Sequence, residues 1–83
     1  MEEAHVPERV QTEGKYVNRF QIGYNAFEFV VDFFQAHDNQ VAANANTRVI
    51  TTPAYAKLLS EMLGESIHQY EAKYEKIPNV SER

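Results

Sequence analysis

The stretch FQIGYNAFEFVVDF, Phe20 to Phe33, packs five aromatic and four aliphatic residues into fourteen positions and also carries Glu28 and Asp32. The spacing of its apolar residues decides the fold. From Tyr16 to Gly23, the apolar residues Tyr16, Phe20 and Ile22 fall on even positions; from Phe27 to Phe33, Phe27, Phe29, Val31 and Phe33 fall on odd ones. Each set has period two, which predicts a strand in each segment. The change of parity predicts a hairpin between them. A turn at Tyr24-Asn25 would pair Ile22 with Phe27, Phe20 with Phe29 and Tyr16 with Phe33, placing both apolar sets on one face. Asn25 tolerates positive φ, and Gly23 supplies further freedom beside it.

The opposite face of such a hairpin sets Arg19 across from Val30, with Glu28 and Asp32 as diagonal neighbours. Four residues apart on a strand, the two carboxylates would be about 13 Å from each other. That is too far for the acid pair of a glycosidase. They are expected to be solvated charges flanking Arg19 on a wet face.

Downstream, AHDNQVAANANT, Ala36 to Thr47, is rich in small polar residues and predicts a loop, and the β-branched run RVIT, Arg48 to Thr51, predicts a third strand beside the second. Thr52 is a suitable N-cap and Pro53 suits the first helical position, where a missing N–H costs nothing. Tyr55, Leu59, Met62, Leu63, Ile67, Tyr70 and Tyr74 then lie on one side of a helix, with Leu58 at the edge. Pro78 should stop it, giving a helix from Pro53 to about Lys76 that is about 36 Å long and overhangs its sheet. Gly64, opposite the stripe, marks a bend or a close backbone approach, or is simply tolerated.

The expected fold is therefore α+β: an antiparallel three-stranded sheet, made of a hairpin plus one short strand, followed by one long C-terminal amphipathic helix. Residues 15–78 form this single β-β-β-α domain, residues 1–14 a disordered acidic arm with Pro7, Gly14 and four glutamates, and residues 79–83 a tail. A chain of 83 residues buries only about 60% of its unfolded surface. It also has no cysteine for a disulfide, a zinc site or a thiol nucleophile. The remaining means of stabilisation is a partner subunit, so a homodimer or larger oligomer is expected, with helices covering sheets. With no apolar run of about 18 residues and an acidic start, neither a membrane span nor a signal peptide is expected, and the compartment is expected to be the cytoplasm.

Net charge is -4, of which residues 1–14 carry -3, residues 15–52 sum to zero and residues 53–83 carry -1. Without a basic face, little can be gained by displacing counterions from phosphate. Phe20, Phe27 and Phe29 could stack bases on a sheet, but a covering helix makes them core. Glu65 and His68 have the i,i+3 spacing of di-iron carboxylate ligands, with Glu61 one turn earlier; all three point away from the apolar stripe and are expected to be solvated. His5 and His37 have no ligand or triad spacing, and Ser60, Ser66 and Ser81 have no nucleophile elbow around them. No catalytic, cofactor-binding or metal-binding residue is predicted, and no cofactor.

FQIGYNAFEFVVDFFQ followed by RVITTPAYAKLLSEMLGESIHQYEAKYEKIP resembles a family of short bacterial proteins known only as a domain of unknown function. The resemblance rests on Gly23, Asn25, Ala26, Phe27, Glu28 and Phe29 together with the Thr-Thr-Pro helix opening, and covers about Tyr16 to Pro78. Where the family pattern implies glycine, this chain carries Phe34, an extra aromatic on the polar face. A looser similarity, of topology alone, is to the SecB type of export chaperone, which also runs antiparallel strands into a long helix and oligomerises. The resulting expectation is a non-catalytic oligomeric interaction or accessory protein. A peptide-binding or holdase module is the alternative, with single-stranded nucleic-acid binding below it. The expected partner is a second copy of the chain, with another protein as a further one, and neither a membrane nor nucleic acid is expected.

Overall fold

The computed structural model describes residues 13–36 and 46–80. Three strands, β1 (Arg19–Tyr24), β2 (Phe29–Phe34) and β3 (Thr47–Thr51), precede one helix, α1 (Pro53–Lys73). The strands form an antiparallel sheet in the order β1-β2-β3. The fold is thus α+β with the element order read from the sequence.

The register differs from the expected one. Phe20 pairs with Phe33, Ile22 with Val31 and Tyr24 with Phe29, so the second strand is displaced by four residues from the expected pairing. The cause lies in the turn. Asn25 Oδ1 accepts from the backbone N–H of Phe27 at 2.7 Å and of Glu28 at 3.0 Å, while the Asn25 N–H donates to the Glu28 carbonyl at 3.0 Å. An asparagine that bonds two residues and three residues onward closes a longer loop over Asn25–Glu28 in place of a two-residue turn. Phe27 and Glu28 consequently leave the strand, and Phe27 is 82% exposed at the tip. A shift by an even number keeps side-chain parity, so the apolar sets still share one face.

That face presents Phe20, Ile22 and Tyr24 from β1, Phe29, Val31 and Phe33 from β2, and Val49 between Thr47 and Thr51 from β3. Phe20 meets Phe33 edge-on at 5.8 Å between ring centres, and Tyr24 stacks on Phe29 at 5.5 Å. The opposite face carries Arg19, Gln21 and Gly23, then Phe34, Asp32 and Val30, then Arg48 and Ile50. Having apolar residues on both sides suits β2 to the centre of the sheet.

Ahead of β1, Asn18 ties the sheet to the segment leaving β2. Its Nδ2 donates to the Ala36 carbonyl at 3.0 Å, its Oδ1 accepts from the Ala36 N–H at 2.8 Å, and its own N–H donates to the Phe34 carbonyl at 3.0 Å. The amide acts as an extra peptide unit in the ladder, paired with Ala36, which is 7% exposed.

Helix α1 starts where expected: Thr52 Oγ1 accepts from the Tyr55 N–H at 3.2 Å and Pro53 opens the first turn. It ends at Lys73 instead of Lys76. Pro78 sets only the outer limit, since in continued helix its ring would meet the Tyr74 carbonyl and Ile77 would be held in a conformation disfavoured before proline. Tyr74 breaks the helix at φ -112, ψ -90, and Glu71 Oε2 accepts from the Ile77 N–H at 2.9 Å, catching the departing chain.

The largest departure is that α1 does not cover the sheet of its own chain. No helix residue is buried, and its stripe is exposed from end to end, from 41% at Ile67 to 64% at Tyr55. Thr52 alone connects β3 to α1, in extended conformation at φ -78, ψ 161. Strand-to-helix loops that fold a helix back over its sheet usually take about 2–6 residues. Among the described residues, Ala36 is the one buried apolar residue and Asp32 the one buried charged residue.

Candidate functional site

Two surfaces come forward. The first is a shallow depression of about 430 Å³ on the polar face, lined by Gln21, Gly23, Asn25, Glu28, Asp32 and Arg48, among others. Gly23 leaves open space there, since a Cβ at that position would meet nothing within 4 Å. Arg48 Nε donates to Asp32 Oδ1 at 2.7 Å and Nη2 donates to Oδ2 at 2.9 Å, a two-point pairing across the β2–β3 ladder. The hydrogen bonds from Arg48, reinforced by its charge and opposed by burial, hold the Asp32 carboxyl below the usual carboxylate range. The same bonds push Arg48 upward. A carboxylate with both oxygens engaged and its proton affinity lowered is a poor general base.

These contacts correct the expectation for the acidic residues of the opening stretch. Asp32 is not a wet charge: it is 8% exposed, faces Gln21 across the hairpin and bonds Arg48 of β3, while remaining a diagonal neighbour of Arg19. Arg19 stands opposite Phe34 instead of Val30. Glu28 lies in the turn, where its main chain closes the loop with Asn25. The Asp32–Arg48 pair was missed because Arg48 lies beyond the loop, where hairpin register says nothing about its neighbour. The one available signal was alternation, which sets Arg48 and Val49 on opposite faces of β3.

Glu61, Glu65 and His68 are exposed on the helix, and among the described residues no three histidine, cysteine or acidic side chains come close enough to hold a metal ion. Ser60 and Ser66 are likewise exposed helix residues. His5, His37, Ser81 and most of the acidic arm lie outside the described residues.

The second surface is apolar. It comprises the aromatic sheet face and the stripe of α1, both open. Phe20 and Ile22 are 60% and 63% exposed despite their place in a period-two pattern that normally marks a core. At the helix end, Tyr70 and Tyr74 lie 4.9 Å apart with Lys73 Nζ 5.4 Å from the Tyr74 ring centre. The strand residues of the aromatic face include no lysine or arginine, since Arg19 and Arg48 belong to the other face. The strands of that face therefore supply no cation for the phosphates of stacked bases.

Fold and surfaces together define a small α+β chain whose strands and helix each present an open apolar face. The chain belongs to the family described as protein of unknown function (DUF3467), whose profile matches residues 3–79, beginning inside the acidic segment. No curated protein and no solved structure matches it. Among the described residues, no helix is long and apolar enough to cross a membrane.

Proposed function

We propose that this chain is a non-catalytic interaction protein that works as an oligomer of itself, with its apolar surfaces as the contacts. One observation carries this: a sheet face with Phe20, Ile22 and Val49 and a helix stripe with Leu59, Met62 and Leu63 are exposed in the same chain. Monomers rarely expose contiguous apolar patches beyond about 300–600 Å². In the depression on the other face, the central carboxylate is committed to Arg48, which favours a structural role there over a catalytic one. A cysteine-free chain fits a reducing compartment such as the cytoplasm.

Light scattering after size exclusion at micromolar concentration tests this, and a mass that is a multiple of 9.6 kDa is expected. A folded monomer stable to dilution refutes it. A metal or small molecule retained in native mass spectrometry would argue for a cofactor protein or enzyme instead.

A peptide-binding or holdase role is the second reading. It is favoured by the strand order, which leaves β1 and β3 as sheet edges beside the aromatic face, where an extended client could add a strand. Suppression of client aggregation at substoichiometric amounts is its measurable signature.

A further inference from the structure

We infer that the aromatic sheet face of one copy is covered by helix α1 of a second copy, in a two-fold exchange that closes both open surfaces of both chains. This rests on the oligomeric reading above and specifies its contact.

Exposure comes first. Phe20, Ile22 and Val49 on the sheet and Leu59, Met62 and Leu63 on the helix are 44–63% exposed, so each chain offers a second copy one open apolar surface of each kind.

The connection comes second. Thr52 gives the chain one residue in which to reverse, and α1 does not return across its own sheet, none of its residues being buried. Short connections of this kind favour exchange of an element between copies over packing within one.

Shape and charge come third. The 21 residues of α1 make a rod about 32 Å long and ~10 Å wide. Three strands at ~4.8 Å spacing, each about 20 Å long, make a bed of that width and shorter than the rod. The strand residues of the aromatic face are uncharged, as are Leu59, Met62, Leu63 and Ile67 on the stripe, so their contact would strand no ion away from water. Stacking sheet on sheet instead would leave both helix stripes wet unless the helices also paired. One helix-on-sheet contact, repeated by the two-fold axis, covers all four surfaces.

The absence of cysteine makes the test direct. Two single-thiol chains, Val31→Cys on the sheet and Leu63→Cys on the helix, one of them carrying a size tag, are unfolded together, refolded and treated with a short bis-maleimide. Mixed covalent dimers are expected, with little product from either chain alone. Val49→Cys and Leu59→Cys provide second positions on each surface should a first variant fold poorly. Glu61→Cys, on the far side of the helix, should give no mixed product. Products from Val31→Cys alone, meaning sheet against sheet, overturn the inference while leaving the oligomer intact. So does a crosslinked monomer from the Val31→Cys, Leu63→Cys double variant at high dilution, meaning that the helix returns to its own sheet. A monomeric mass in light scattering overturns the oligomeric reading as well, which separates the two failures.

Discussion

At the scale of single residues, polar side chains hold the backbone where apolar burial does not. Asn18 is the clearest case, since its amide satisfies both main-chain groups of the buried Ala36. Asn18→Ala leaves those groups unpaired and should cost about 1–3 kcal/mol in denaturant titration. Asn18→Asp keeps the acceptor for the Ala36 N–H but turns a carboxylate toward the Ala36 carbonyl, so it should not rescue fully. Asp32 gives a pH signature. Its proton affinity is lowered on folding, so its contribution is complete above its ordinary value of 3.8 and is lost as pH falls from there through the depressed value. Asp32→Asn should therefore lower the melting temperature at neutral pH, and the gap between variant and parent should close in acid. A gap that widened in acid would mean the sign is wrong. Of these two residues the sequence signalled Asn18 faintly, as a polar interruption of the even apolar series, and Asp32 as a solvated charge beside Arg19, without Arg48.

At the scale of elements, the helix start was legible because capping is local: Thr52 and Pro53 act on atoms within one turn. Thr52→Ala should cost about 1 kcal/mol. At Gly64 a close backbone approach within the chain is ruled out, as an added Cβ would meet nothing within 4 Å, and α1 runs unbroken through it. Gly64→Ala should accordingly stabilise the protein by about 1 kcal/mol, read from thermal melts at fixed concentration. A loss of stability would place an approaching backbone at Gly64 and move the contact surface to the helix's other side. The hairpin was legible as a pair of strands on one face, but its register was not, because every even shift preserves the apolar pattern. Only the two bonds to Asn25 Oδ1 choose among such shifts.

At the scale of the whole molecule, stability should depend on concentration. If folding requires a second copy, dilution must lower the melting temperature by mass action, and a melting temperature independent of concentration would contradict this. Phe29 reports on the same question. Half-buried and stacked on Tyr24 within one chain, it becomes fully covered only when the sheet face is occupied. Phe29→Ala should then cost about 3–5 kcal/mol, the loss for a buried ring, and should shift the assembly toward monomer in sedimentation. A loss near 1 kcal/mol would show that the face stays open.

By itself the sequence determined the number and order of elements, the side of each that is apolar, and where the helix begins. These follow from periodicity and capping, which act over a few residues and survive any arrangement of the rest. Tertiary structure alone decided the hairpin register, the pairing of Asp32 with Arg48, and the failure of α1 to cover its own sheet. Each depends on atoms far apart along the chain or on the direction in which one short connection points. An apolar stripe on α1 states that something must cover it; with Thr52 alone between β3 and α1, its own sheet does not.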